Sequence, residues 1–266
     1  MRPPPGSGIM VQERKEGAGR ETWPPFDITA VWPMNQENEH MNHFNIAIDG
    51  PAGAGKSTIA KEVARRLGFV YVDTGAMYRT IALCLLRQGV DPADEKAVKE
   101  AAARAQVSLG YENGVQQVFL NGENVSGEIR SEEVGKMASA VSGYMAVREK
   151  LVELQKALAG CENVVMDGRD IGTCVLPDAP AKIYLTASSR VRAERRFQEL
   201  AQKGIECRID EIEKDIIDRD YQDMHREHSP LVQAQDAVLI DSSAMTIEQV
   251  VEAIIRTAQD RGLEEA

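Results

Sequence analysis

The sequence predicts an α/β fold: a parallel sheet flanked by helices, with a small antiparallel unit inserted. Three observations predict it. Short apolar runs at 44–49, 69–72, 163–167, 182–186 and 237–241 alternate with amphipathic helical stretches, the pattern of buried parallel strands covered by helices. A glycine-rich turn joins the first run to a helix. Two Asn-Gly pairs, at 113–114 and 121–122, punctuate extended runs between 105 and 130, which marks hairpins.

Taken in order, the run at 44–49 is a strand, and the helix over 57–67 places Ile59, Val63 and Leu67 on one face before stopping at Gly68. A strand over 69–72 precedes a helix over 76–88 with Met77, Ile81 and Leu85 aligned. Strands over 107–111 and 115–120, and a third through Val125, form an insert spanning 105–130. Val147, Leu151, Leu154 and Leu158 define the helix that returns the chain to the main sheet. Ile209, Ile212 and Ile216 begin an inward stripe on a helix over 209–226. The last helix opens with Thr246 and Gln249 in capping-box spacing and turns Ile247, Val250, Val251, Ile254 and Ile255 inward.

At 266 residues and 43% hydrophobic, the composition is that of an ordinary globular chain. A net charge of −11 argues against sequence-independent binding to nucleic acid or acidic membranes. No apolar run is long enough to span a bilayer, and no secretory signal is evident. Cys84, Cys161, Cys174 and Cys207 are scattered with no C-x-x-C pair, so a reduced, cytoplasmic protein is expected. Residues 1–40 hold six of the eleven prolines and both tryptophans, without helical or strand period. They are expected to be a disordered extension, leaving 41–266 as the domain and Met41 as a candidate natural start. Peptides from 1–40 in the native protein would contradict that start; a docking tail built on Trp23 and Trp32 is the alternative.

The chemistry begins at Gly50-Pro51-Ala52-Gly53-Ala54-Gly55-Lys56-Ser57, followed by Thr58, which fits G-x-x-x-x-G-K-[ST] between a strand and a helix. Glycines let backbone N–H groups and the helix N-terminus approach phosphate oxygens. Lys56 reaches the β- and γ-phosphates, and the Ser57 hydroxyl is the candidate Mg2+ ligand. A merely tight turn would not need Lys and Ser in register, so the reading is a nucleoside-triphosphate site on a P-loop NTPase-type sheet.

A second anionic site is expected beyond the carboxyl ends of the strands. Arg219, Asp223 and Arg226 continue the 209–216 stripe at helical spacing. Asp73-Thr74-Gly75-Ala76-Met77-Tyr78-Arg79 follows the second strand, and Asp167-Gly168-Arg169-Asp170 the next long-range one. Arg190, Arg192, Arg195 and Arg196 crowd the start of 188–210, which suits an arginine-rich lid closing over phosphates. Solvated, salt-bridged helix faces are the bland alternative for both arginine runs.

The segments GPAGAGKST, VDTGAMYR, VSGEIRSEEV, MDGRDIGTCVLPDAP and RDYQDMHREHSPL together resemble bacterial cytidylate kinase, the (d)CMP kinases among P-loop nucleoside-monophosphate kinases, over residues 44–258. The resemblance implies Mg2+-dependent transfer of the ATP γ-phosphoryl group to CMP or dCMP by a monomer, with the insert serving as the NMP-binding unit. It implies that Thr74, Tyr78 and Arg79 border the CMP site, with Arg79 on its phosphate. Ser139, Arg148 and Asp170 would read the cytosine edge, Arg169 and Arg219 the acceptor-phosphate region, and Asp223 the ribose. Arg192, Arg195 and Arg226 would clamp phosphates or serve the lid; Lys56, Arg169, Arg219, Arg192 and Arg195 form the implied catalytic set. Two departures stand out: Thr74 occupies a position where serine is also usual, and Gln222 and Met224 lie in a stretch that is often more basic. Two rivals follow from the residues: a hydroxyl-phosphorylating kinase of the shikimate kinase type, with Asp73 as base, and a regulatory nucleotide switch. The second lacks an N-K-x-D motif and leaves the arginines unexplained.

Overall fold

Parallel pairing around the strand that leads into the glycine-rich loop organises the molecule. The computed structural model describes residues 22–26, 43–112 and 114–264. In chain order these form β1 (Thr22–Phe26), β2 (Ile46–Asp49), α1 (Lys56–Leu67), β3 (Val70–Asp73), α2 (Thr74–Arg87) and α3 (Glu95–Arg104). The insert follows as β4 (Val107–Glu112), β5 (Val115–Leu120) and β6 (Glu123–Asn124), and then α4 (Glu132–Val141) and α5 (Met145–Cys161). The chain continues through β7 (Val164–Gly168), β8 (Ala181–Thr186), α6 (Ser189–Gln202), α7 (Ile209–His225), β9 (Val238–Asp241) and α8 (Ile247–Asp260).

The main sheet has the order β3-β7-β2-β8-β9, and every neighbouring pair in it is parallel. Side-chain alternation builds a core on each face. Ile46 and Ile48 join Ile183, Leu185, Val250 and Ile254 on the α1/α8 side, whereas Ala47 joins Met77, Ile81, Leu85, Leu151 and Leu154 on the other. Gly68 closes α1 in the left-handed conformation, φ +67°, its N–H donating to the Ala64 carbonyl. Both halves of the Thr246/Gln249 capping box are present. Ile247 departs from its expected inward position: it is 56% exposed, because it occupies the first residue of α8, before the helix reaches the sheet. Among the described residues no helix is long and apolar enough to cross a membrane.

The insert is an antiparallel sheet of order β1-β4-β5-β6. Its third expected strand is only Glu123–Asn124; Val125 is instead fully buried and its N–H donates to the Val118 carbonyl at 3.0 Å. The fourth strand, β1, comes from the segment expected to be without regular structure. It pairs along the free edge of β4, with a register break between Trp23 and Phe26. Pro24 and Pro25 fall in that break. Proline lacks the N–H that a central strand needs, and an edge strand tolerates it. The remaining expectation for 1–40 lies outside the described residues. Two side chains dock the insert on β3: Tyr111 Oη donates to the Tyr71 carbonyl (2.8 Å), and Gln116 accepts at Oε1 from the Asp73 N–H (2.8 Å) and donates from Nε2 to the Asp73 carbonyl (3.3 Å). The stripe Ile209, Ile212, Ile216 is half-buried and not core, since α7 packs chiefly on α6 at this point.

Candidate active site

All five parallel strands deliver their carboxyl ends to one edge. β2, β3 and β9 end on Asp49, Asp73 and Asp241, and Asp167 is the penultimate residue of β7. Loops beyond such an edge carry the ligand site.

The donor side is the phosphate loop. Gly50 leaves β2 at φ +149°, and a Cβ there would lie 1.9 Å from the Leu185 carbonyl oxygen on β8, so only glycine lets the loop start here. Gly55, at φ +89°, turns the chain into α1. Pro51 and Ala54 are buried, Ala52 is half-buried, and Gly53 and Thr58 lie at the surface. Lys56 Nζ donates to the carbonyls of Gly50 (2.7 Å) and Pro51 (2.8 Å). Burial, with the charge of Arg169 beside it, lowers its pKa to about 7, so an anion in the loop would restore its proton affinity. Ser57 Oγ donates to Asp167 Oδ2 (3.0 Å), while Asp167 Oδ1 accepts from Tyr71 Oη (2.9 Å). Burial and the neighbouring Asp73 raise the Asp167 carboxyl to about 6. A hydroxyl and a carboxylate placed together past the loop are what such sites offer a divalent cation. The sequence reading places Asp167 in the segment of the second anionic site and gives it no part beside Ser57 at the donor loop, although the apolar run 163–167 ends on it.

The acceptor side is built on α2, α7 and the turn after β7. Arg79, Arg169 and Arg219 stand near one another, with Arg130 and Arg196 also close to Arg79. Burial, and after it these like charges, lowers the pKa of Arg79 and Arg219 below the usual guanidinium range. Arg219 Nε is buried without a hydrogen-bond partner. Arg169 Nε donates to Asp223 Oδ2 (2.8 Å). Burial pushes the Asp223 carboxyl up, but Arg169, Arg219 and Arg226 outweigh it and hold its pKa below the ordinary value.

Next to this cluster Arg148 donates to Asp170, both nearly fully buried, and Arg226 Nη2 stands 3.6 Å from the other Asp170 oxygen. The Arg148 guanidinium lies 5.9 Å from the centre of the Tyr78 ring. Arg148 Nη1 also donates to the Ser142 carbonyl (3.4 Å), and Ser142 Oγ to the Ser139 carbonyl (3.0 Å), so Ser139 belongs to the same corner. Thr74 Oγ1 donates to the Asp167 carbonyl (2.7 Å), which ties α2 to the end of β7.

Two expected lid arginines brace the donor loop. Arg192 is buried and commits Nε to the Ala187 carbonyl (2.9 Å), Nη1 to the Ala52 carbonyl (2.9 Å) and Nη2 to Asp220 Oδ2 (2.6 Å). Arg195 Nη2 donates to the Ser242 carbonyl (2.9 Å), and its Nη1 lies 3.9 Å from where a Cβ on Gly55 would stand. The rival base, Asp73, is occupied structurally, since its Oδ1 accepts from the Ala76 N–H (2.9 Å) and caps α2.

The cytidylate kinase family profile matches residues 46–260. The chain is 51% identical over 215 residues to a cytidylate kinase of Alkaliphilus oremlandii, covering 81% of this chain and 97% of that one. It is 52% identical over 217 residues to the cytidylate kinase of Pelotomaculum thermopropionicum (81% and 96% covered). It is 49% identical over 218 residues to that of Lactobacillus johnsonii (82% and 95% covered). Matches of this length, running through both the phosphate loop and the arginine cluster, assign the chain to the cytidylate kinase family.

Proposed function

We propose that this chain transfers the γ-phosphoryl group of ATP to CMP or dCMP, giving ADP and CDP or dCDP. The observation that carries this reading is the grouping of Arg79, Arg169 and Arg219 at the same sheet edge as the phosphate loop. Three half-buried guanidinium groups gathered at one place favour an anion between them, and their position beside the NTP loop supports a second phosphate there. The acceptor, a phosphate monoester with a second pKa near about 6, is already an oxyanion at neutral pH. It needs positioning and charge neutralisation, not a general base. Asp73 is accordingly free to be a helix cap.

In this reading Lys56 and the loop N–H groups hold the ATP phosphates. Arg79, Arg169 and Arg219 hold the acceptor phosphate, where planar guanidinium groups match the charge spread over equatorial oxygens. Asp223 faces the ribose, and Asp170, Arg148 and Ser139 face the base. Arg192 and Arg195 keep the loop and lid together as the two phosphates meet.

Ser57 and Asp167 would hold Mg2+. Among the described residues no group of three or more His, Cys, Asp or Glu side chains could hold a metal, which suits an ion bound by one or two protein groups plus substrate phosphates. When bound, Mg2+ supplies charge neutralisation on the β- and γ-phosphates. Asp167→Asn keeps partners for Tyr71 and Ser57, because an amide both accepts and donates. It is therefore expected to leave Tm within a few degrees while lowering activity roughly 10–100-fold and raising the Mg2+ concentration for half-saturation. Unchanged Mg2+ dependence would remove Asp167 from the metal site.

A coupled assay of ADP release across CMP, dCMP, UMP, AMP and shikimate tests the assignment. The expected result is release that depends on CMP or dCMP. Equal release without acceptor favours the nucleotide switch, and release only with shikimate the hydroxyl kinase.

A further inference from the structure

We propose that Asp49 is a positioning residue that sets the distance between the donor loop and the acceptor-binding turn. This rests on the phosphoryl-transfer reading above. Asp49 is the last residue of β2, and the phosphate loop begins at the next residue, Gly50. Its carboxylate does not face that loop's N–H groups. Oδ1 accepts from the Ile171 N–H and Oδ2 from the Gly172 N–H, each at 2.7 Å.

Those two amides open the wide helical turn Ile171–Val175, directly after Arg169 and Asp170. The first N–H groups of any helical turn have no partner within it. Here a carboxylate from another strand satisfies two of them, and both oxygens are used. Inside the turn, the Asp170 carbonyl accepts from the N–H groups of Cys174 (2.9 Å) and Val175 (3.2 Å), and the Ile171 carbonyl accepts from the Leu176 N–H (2.7 Å). The turn is thus internally rigid, and Asp49 sets its position as one body.

Close packing supports the same conclusion. A Cβ added at Gly172 would lie 3.4 Å from Asp49 Oδ2 and 3.2 Å from Cδ of Lys182. Asp49 is 4% exposed. Backbone pairing alone ends at Asp49 opposite Gly168. The side chains of the next two residues, Arg169 and Asp170, are held by Asp223, Arg148 and Arg226, but the position of their backbone depends on what holds the chain beyond them. Asp49 supplies that hold from the strand that carries the donor loop.

The consequence is specific. Loosening this tether moves Arg169 and Asp170 relative to the phosphate loop, while the loop keeps its own fixings, the Lys56 bonds to the Gly50 and Pro51 carbonyls and the Arg192 bond to the Ala52 carbonyl. Asp49→Asn keeps size but meets one of the two N–H groups with an N–H2. It is expected to weaken CMP binding about 10-fold or more, measured by calorimetry, while binding of a non-hydrolysable ATP analogue changes by less than about two-fold. kcat falls as well, and the preference for CMP over UMP narrows. Asp49→Glu keeps both acceptor oxygens but lengthens the tether by one methylene and is expected to give the same pattern, which keeps the test open if Asp49→Asn folds poorly. Unaltered CMP affinity and CMP/UMP preference in a folded variant would overturn the proposal. So would equal weakening of CMP and the ATP analogue, which would mean a general structural role. If wild-type protein shows no CMP-dependent ADP release, the functional reading fails, and that outcome is separate from the variants' behaviour.

Discussion

Arg219→Ala is expected to lower kcat by about 10²–10³-fold, the cost of removing one preorganised charge that faces developing charge in a water-poor site. Its stability is expected to stay within a few degrees of Tm or to rise. Arg219 stands beside Arg169 and Arg79 as well as Asp223 and Asp220, but desolvation and the like charges outweigh the carboxylates, and its Nε has no partner. Removing it relieves like-charge crowding and an unsatisfied donor. Loss of turnover combined with retained stability is the mark of a group placed for an anion and not for the fold. Arg219→Lys is expected to recover little, because an ammonium is a point charge and cannot present the planar fork to two phosphate oxygens. Turnover and thermal unfolding measured on the same preparations check both statements. An unchanged kcat would remove Arg219 from the reaction, and a large fall in Tm would make its role structural.

Base selection is the second large effect. CMP is expected to exceed UMP in kcat/KM by about 10²-fold or more. A site built to pair with a hydrogen-bonding group rejects an analogue that leaves buried polar atoms unpaired. Asp170 accepts from the cytosine amine in this reading, whereas uracil presents a carbonyl to the same carboxylate. The ion pairs with Arg148 and Arg226 hold Asp170 in place. Removing a partner from a buried pair is strongly destabilising, so the informative variant is Asp170→Asn. Its amide still accepts from Arg148 and now also donates. The CMP/UMP ratio is expected to fall at least about 10-fold, mainly through a higher KM for CMP. A ratio that does not move would place the base elsewhere.

Several features are readable in the chain because their causes are local. The Gly-Lys-Ser spacing, the Asn-Gly turns, the Gly68 stop and the Thr246 cap each depend on residues within a few positions of one another. The carboxylates that organise the site depend instead on strand order. Ser57 meets Asp167 across 110 positions, and Asp49 meets Ile171 across 122. Those contacts exist only because β7 lies beside β2 in the sheet. The acidic end of 163–167 is a visible signal for Asp167; nothing near Asp49 in the sequence marks its partners.

Arginine roles divide the same way. Spacing alone aligns Arg219, Asp223 and Arg226, but not Arg192, which braces the Ala52 carbonyl and Asp220. β1 is illegible for a different reason. Two prolines in five residues oppose a strand everywhere except at an exposed edge, and the edge it uses belongs to β4, more than 80 positions away. Helices α3 and α4 have caps, at Asp94 and Ser131, but short apolar stripes of which several members are alanine.

In the proposed reaction two nucleotides meet at one sheet edge and a phosphoryl group passes between them. Incubating the protein with ATP labelled on its γ-phosphate, Mg2+ and CMP, then separating the products, tests this directly. The expected result is label on the β-phosphate of CDP in equal amount to the ADP formed, with almost no label leaving ATP when CMP is omitted. Label released as inorganic phosphate at the same rate with or without CMP would contradict it.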